Sequence, residues 1–381
     1  MTEILFWCSV ALAVYAYLGY PCALLLLCVA RNRRVRPGGG TPRVSLIIAA
    51  RNEEARIREK IENSLAQDYP ASALEIMVAS DCSTDRTDAI ADSYAPRVRL
   101  VRTPQRRGKE AAQKLAVEAA SGEILVFSDA ATALAPDGIS RIARNFGDPT
   151  VGCVSSVDRF VDADGRISGE GAYVRYEMWL RALETRANSV VGLSGSFFAA
   201  RREACRDWAV DRPSDFNTLL NAVELGWRGV SDPRSIGYYR NIVDSRLEFD
   251  RKVRTVVRGI SALAGNARML NVFRYGLFAW QLASHKLCRW LVPVAMLLAF
   301  VTNVALVSHP AYAAVFLLQL GFYAAALGGV VTGARSMRIP AFLCVVNAAI
   351  LVAWCRYARG ERMTTWNPSE RTRALPQVGA R

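Results

Sequence analysis

The chain has 381 residues, 52% of them hydrophobic and 22% charged, so it is too apolar to be disordered and too long for one ordinary soluble domain. Forty-eight Lys and Arg against 34 Asp and Glu give a net charge of +14. The two histidines, His285 and His309, lie near apolar runs, which excludes a His-rich zinc site and a Ser-His-Asp triad in a globular part. Nine scattered cysteines without a C-x-x-C pair read as reduced thiols, not as a disulfide framework.

Residues 4–30 carry no charge, enough length for a tilted helix to cross a bilayer. Glu3 and the lack of Lys or Arg ahead of this run argue against a cleaved signal peptide. Arg31, Arg33, Arg34 and Arg36 follow at once, and the positive-inside rule puts them in the cytoplasm. Residues 1–36 are therefore read as a transmembrane helix with a basic flank. The run Pro37-Gly38-Gly39-Gly40-Thr41-Pro42 reads as a flexible linker that opens a soluble unit over 37–245.

Inside that unit, short apolar runs alternate with helical stretches. Strands are predicted at 44–49, 74–79, 98–101 and 124–127, and helices at 53–66, 85–94 and 109–120. This alternation predicts an α/β fold, a mostly parallel sheet covered by helices. Such sheets bind ligands at the carboxyl ends of their strands. Three strand ends here carry acids, at Asn52-Glu53, at Asp81 and at Asp129. Each acid could simply cap the helix after it. A rim of carboxylates could instead hold a divalent metal or accept hydrogen bonds from a base and ribose. No G-x-G-x-x-G follows the first strand and no G-x-x-x-x-G-K-[ST] occurs, which argues against a dinucleotide site and a P-loop. Trp179 and Trp227 could stack on sugar rings, but such residues are more often core, and core is the expectation here.

Arg251, Arg254 and Arg258 recur at helical spacing opposite Val253, Val256, Val257 and Ile260. That is a basic amphipathic helix for a membrane surface, within an interfacial segment over 246–289. Sending Arg254 to a diphosphate is the sharper alternative. Residues 290–334 lack Asp, Glu, Lys and Arg and fit two spans broken near His309-Pro310, and residues 339–355 form a shorter third run, so 290–356 is read as membrane-embedded. Three spans here would put the tail over 357–381 outside, yet the stretch from Arg356 onward holds six arginines. Either the last run is re-entrant or interfacial, with the tail cytoplasmic, or the charge rule fails here. Arginines at membrane edges explain much of the +14, and anionic headgroups and diphosphates suit the rest. No helix-turn-helix, zinc-finger or RNA-recognition signature supports a nucleic-acid partner.

The motifs of the middle unit, in their order and spacing, resemble a GT-A-type glycosyltransferase of family 2, in the membrane-bound branch that includes cellulose and hyaluronan synthases. Ala50-Arg51-Asn52-Glu53 resembles the family's opening loop, whose Glu contacts the nucleoside. Asp81-Cys82-Ser83-Thr84-Asp85 resembles D-G-S-x-D, whose first Asp reads the base. Arg107-Gly108-Lys109 is similar to N-x-G-K near the uracil and phosphates, and Asp129-Ala130-Ala131 to D-x-D, which holds metal on the diphosphate. Gly192-Leu193-Ser194-Gly195-Ser196 resembles the floor beneath the acceptor, and Asp215 falls where the family keeps its catalytic acid pair. Lys286-Leu287-Cys288-Arg289-Trp290 resembles Q-x-x-R-W, which contacts the diphosphate and acceptor.

The resemblance implies an inverting, metal-dependent hexosyltransferase in the inner or plasma membrane, with its active site in the cytoplasm. Asp215 would be the general base. Asn52, Glu53, Asp81, Lys109 and Asp129 would bind the donor, and Asp129 would hold Mg²⁺ or Mn²⁺. Arg289 and Trp290 would meet the diphosphate, and Ser194, Gly195 and Ser196 the acceptor. The donor would be a nucleotide-sugar, expected to be UDP-linked, and the acceptor lipid-linked or a glycan beside membrane lipids. Ala131 and Ser214 depart from the family's acids, and Lys286 replaces its Gln. The alternative is therefore a catalytically impaired member that binds nucleotide-sugar or partners.

Overall fold

The computed structural model describes residues 1–161, 172–240 and 245–363. Along the chain, helix α1 (Thr2–Ala30) is followed by strand β1 (Val44–Ala50), α2 (Ile57–Leu65), β2 (Leu74–Ser80), α3 (Thr87–Asp92), β3 (Arg99–Arg102), α4 (Lys109–Ala119) and β4 (Ile124–Asp129). Then come β5 (Ala133–Leu134), α5 (Gly138–Arg144), β6 (Val151–Val161), α6 (Ala172–Ala187), β7 (Phe197–Arg201), α7 (Ser214–Glu224) and β8 (Arg228–Arg240). Helices α8 (Ser245–Ala264), α9 (Leu277–Leu306), α10 (Pro310–Thr332) and α11 (Arg338–Ala358) follow. The described residues fall into an α/β unit within 27–242 and 262–266, and a helical unit within 1–26, 243–261 and 267–362.

The α/β unit is built on one sheet of order β3-β2-β1-β4-β7-β6-β8-β5. Strands β1 to β4 are mutually parallel, as expected for alternating strands and helices. The sequence reading did not reach the other half, where β7 runs antiparallel to both β4 and β6. Successive side chains of a strand face opposite ways. Val44, Leu46 and Ile48 of β1 join Ile57 and Ile61 of α2 in one core layer, while Ile47 joins Ala112 and Ala116 of α4 in the other. Burial on both faces is why these strands read as unbroken apolar runs. The chain winds outward from β1 to β2 and β3, then returns to place β4 on β1's other side. That reversal opens a crevice at the carboxyl ends of β1 and β4.

Three local features differ from expectation. The helix after β1 starts at Ile57, not at residue 53, because Asn52 turns the chain at φ +50°. The linker is tied down in part. Gly38 donates its N–H to the Arg144 carbonyl at 2.9 Å. A Cβ on Gly147 would lie 2.3 Å from the Gly38 Cα, so the two backbones meet where only glycine fits. Trp227 packs beside the core as expected, but Trp179 is 43% exposed on the outer side of α6. Leu180 and Leu183 take that helix's buried side instead.

In the helical unit, α1, α9, α10 and the 24 residues Arg335–Ala358 around α11 are each long and apolar enough to cross a membrane. Helix α9 begins at Leu277, ahead of the apolar run at 290, and carries Lys286 and Arg289 within it. The last segment is a helix of 21 residues, and the tail from 364 lies outside the described residues. Polar bonds join these helices, as they do where apolar surface gives little drive to associate. Tyr15 and Ser284 meet at 2.8 Å, and the Trp354 indole donates to the Trp290 carbonyl at 2.8 Å. All nine cysteines are free.

Candidate active site

The three acidic strand ends meet at the crevice. At the end of β1, the Asn52 Oδ1 accepts the Thr84 N–H at 2.9 Å, and the Glu53 N–H donates to Thr87 Oγ1 at 2.7 Å. These bonds lock the first loop to the second. The Glu53 carboxylate is buried and paired with Arg56 at 2.7 Å. After β2, Asp81 is 1% exposed, and its two oxygens accept the backbone N–H of Arg107 at 2.8 Å and of Gly108 at 3.0 Å. Asp81 therefore does not cap its own helix. It fastens the segment leading into α4, where Gly108 has φ +96°.

Cys82 stands where the resembled motif has glycine, at φ +53°. An L-residue in that region costs roughly 1–2 kcal/mol. Cys82→Gly is expected to raise the unfolding midpoint in detergent, by about 1 kcal/mol of stability, and an unchanged or lower midpoint would refute the strain argument.

At the end of β4, Asp129 Oδ1 accepts a hydrogen bond from Lys109 Nζ at 2.5 Å. The same ammonium donates to the Gly195 carbonyl at 3.1 Å. Burial disfavours the charge on Lys109, but Asp129, Glu110 and Asp215 outweigh it and hold the pKa above the usual lysine value. A Cβ on Gly195 would lie 3.3 Å from Asp215 Oδ2, so Gly195 lets that carboxylate come close. Asp215 sits in the first turn of α7 and makes no hydrogen bond among the described residues, so it is not spent as a cap. Lys109, Asp129, Gly195 and Asp215 thus form one constellation from four separate segments.

Ser194 and Ser196 flank Gly195, and both hydroxyls donate to Asp158, at 2.6 and 2.5 Å. Their protons are committed, so they offer lone pairs to a ligand. Burial pushes the Asp158 carboxyl up, and the charge of Asp129 adds to this, against the two serines and Arg181. Sequence reasoning missed Asp158, although an acid inside the strand Val151–Val161 was a visible signal.

Asp129 can serve a divalent metal. Its second oxygen takes no hydrogen bond among the described residues, and a carboxylate is a hard oxygen donor suited to Mg²⁺ or Mn²⁺. Ala131 adds no ligand, and no cluster of three His, Cys, Asp or Glu stands ready among the described residues. One carboxylate with phosphate oxygens and waters is a set Mg²⁺ accepts.

Residues 45–208 match the family described as Glycosyl transferase family 2. The chain carries a family 2 glycosyltransferase domain. This domain holds Asn52, Glu53, Asp81, Lys109, Asp129 and the Ser194–Ser196 floor, while Asp215 lies seven residues beyond its matched end at 208. An N-acetylglucosaminyltransferase of Sinorhizobium fredii is 28% identical over 51% of this chain and 46% of its own length. A beta-monoglucosyldiacylglycerol synthase of Nostoc is 27% identical over 46% of this chain and 40% of its own. The chain thus spans less than half the length of these relatives. A mannosyltransferase of Pyrobaculum calidifontis, solved in complex with GDP-Man and Mn²⁺, shares the GT-A fold. It covers 95% of this chain and 100% of its own, with a TM-score of 0.74 at 24% identity.

Arg289 and Trp290 belong to the helical unit. Arg289 is 6% exposed, with its guanidinium 5.4 Å from the Tyr17 ring centroid. Trp290 is buried against Gly259, where a Cβ would lie 2.9 Å from the indole. Both side chains are buried.

Proposed function

We propose that the protein is an inverting glycosyltransferase that moves a hexosyl unit from a nucleotide-diphosphate sugar, UDP-linked, to a lipid-linked or glycan acceptor at the membrane. The observation that carries this reading is the convergence of Lys109, Asp129, Gly195 and Asp215. An incoming hydroxyl needs a base, a departing diphosphate needs cationic support, and both must be held in line. Asp215 accepts the acceptor's proton as its oxygen bonds to the anomeric carbon. The bond from that carbon to the diphosphate oxygen breaks, and the electron pair leaves with the diphosphate. The Lys109 ammonium stabilises that negative charge. Asn52, Glu53 and Asp81 shape the nucleoside side. Ser194 and Ser196 accept hydrogen bonds from the acceptor.

Asp129 would hold Mg²⁺ or Mn²⁺, which supplies Lewis-acid stabilisation of the leaving diphosphate when bound. The basic flank Arg31 to Arg36 supports a cytoplasmic active site, and four helices long and apolar enough to cross a membrane support an anchor in it. The relative named for a glucosylated diacylglycerol supports a lipid acceptor.

The test is nucleoside-diphosphate release by detergent-purified protein over UDP-, GDP- and dTDP-sugars, with Mg²⁺, Mn²⁺ or EDTA and membrane lipid extract. Metal-dependent release from a UDP-sugar is expected. Release confined to another nucleotide would correct the donor, and nucleotide binding without release from any donor would favour the non-catalytic reading.

A further inference from the structure

Lys60 takes no part in this chemistry, yet it is buried without any exposed surface on α2. Its ammonium donates to Ser128 Oγ at 2.8 Å and to the Thr132 carbonyl at 2.6 Å, and neither partner is an acid. Burial brings its pKa down to about 7, against the opposing pull of Asp129. A methionine would fill the same space without desolvating a charge. The two partners bracket Asp129 along the chain, one residue before it and three after. Side chains alternate along β4, so Ser128 shares the α2 face with Val126, and Asp129 shares the α4 face with Phe127. Lys60 therefore reaches the end of β4 from one side of the sheet, and Lys109 reaches it from the other. The segment is held further by the Asp129 N–H on the Ser196 carbonyl at 3.0 Å, and by the Thr132 N–H on the Asp129 carbonyl at 3.1 Å.

We infer that Lys60 is a positioning residue for Asp129, stapling the chain before and after it from beneath the sheet so that this carboxylate meets the donor's metal-diphosphate group. The inference rests on the reading of Asp129 as the metal and diphosphate residue. It also gives Ala131 a consequence. With no second acid in the loop, a misaimed Asp129 has no neighbour to replace it, so its support counts for more.

The test compares wild type, Lys60→Met, Lys60→Arg, Ser128→Ala and Asp129→Asn in the full-length protein in detergent. Electron paramagnetic resonance reads Mn²⁺ binding with saturating UDP and, in a separate arm, GDP. Steady-state kinetics read donor and acceptor KM, and thermal unfolding reports folding. Lys60→Met removes a buried charge but leaves the Thr132 carbonyl without its donor, so it is expected to stay folded with a modest shift in its unfolding midpoint. It should nevertheless bind Mn²⁺ with nucleotide about 10–100-fold more weakly, the range typical of lost support behind a ligand. Donor KM should rise with acceptor KM unchanged, Lys60→Arg should recover part of the loss, and Ser128→Ala should show a smaller one. Wild-type Mn²⁺ binding in folded Lys60→Met would overturn the inference. If Lys60→Met does not fold, wild-type binding in Ser128→Ala overturns it instead. Asp129→Asn separates the two layers. If it leaves Mn²⁺ binding intact, the reading of Asp129 falls, whereas if it weakens binding and Lys60→Met does not, only the positioning role falls.

Discussion

Asp215→Asn is expected to lower sugar transfer by about 10²–10⁴-fold, the range general-base catalysis supplies. The asparagine keeps the size and the place beside Gly195 but cannot take a proton. Donor affinity should change little, because Asp129 and Lys109, the residues proposed to carry the diphosphate, remain paired with each other. The loss should therefore fall on kcat and leave donor KM near its wild-type value, as for an interaction made only in the transition state. Nearly normal turnover by this variant, measured as nucleoside-diphosphate release with acceptor present, would remove Asp215 from the mechanism. A second carboxyl lies in the same site, but Asp158 is a poor substitute base, since both its oxygens already accept serine hydroxyls.

The second large effect concerns the frame. Arg228 opens β8 and is 4% exposed. Its guanidinium pairs with Asp148 at 3.2 Å and donates to the carbonyls of Arg33 at 3.1 Å and Thr185 at 3.2 Å. One side chain thus ties the segment after α1, the end of α6 and the loop before β6 to the sheet edge. Arg228→Ala leaves Asp148 buried without its cation and strands those carbonyls. Breaking a buried pair in this way costs about 3–5 kcal/mol, so the variant is expected to unfold early or express poorly. The pair also gives a pH dependence. Burial tends to raise the Asp148 pKa, but hydrogen bonds from Thr150 and Arg36, with the Arg228 charge, bring it below the usual carboxylate value. A carboxyl depressed on folding stabilises above the ordinary carboxylate range and loses that contribution as pH falls through its folded pKa. Thermal unfolding of wild type should therefore weaken in acid by more than that of Asp148→Asn. Equal acid sensitivity in the two proteins would contradict this.

The parallel half of the sheet was legible because β1, β2 and β4 are buried on both faces and leave acids where the apolar run stops. The antiparallel half was not. Strand β6 carries Ser155, Ser156 and Asp158 among its apolar residues, and β8 contains Asp232-Pro233 and register shifts against β6, so neither shows a clean period. Lys60 was invisible for a related reason. On an amphipathic helix a lysine reads as solvent-facing, and only the fold shows that it points under the sheet at Ser128. The start of α9 was misjudged because Lys286 and Arg289 end an apolar run in the sequence but not the helix. The site residues themselves came from motif order. What geometry added is that Lys109 links Asp129 to the Gly195 floor, and that Asp215 stands free of capping beside it.

Inverting transfer of sugar to a membrane acceptor is read from the product itself. The protein would be incubated with a ¹³C-labelled sugar donor chosen by nucleoside-diphosphate release and with membrane lipid extract, and the labelled product would be examined by mass spectrometry and NMR. The sugar is expected to be covalently attached to a lipid or glycan, with its anomeric configuration opposite to that in the donor, and no such product is expected from Asp215→Asn. A product of retained configuration, or free sugar alone, would contradict it.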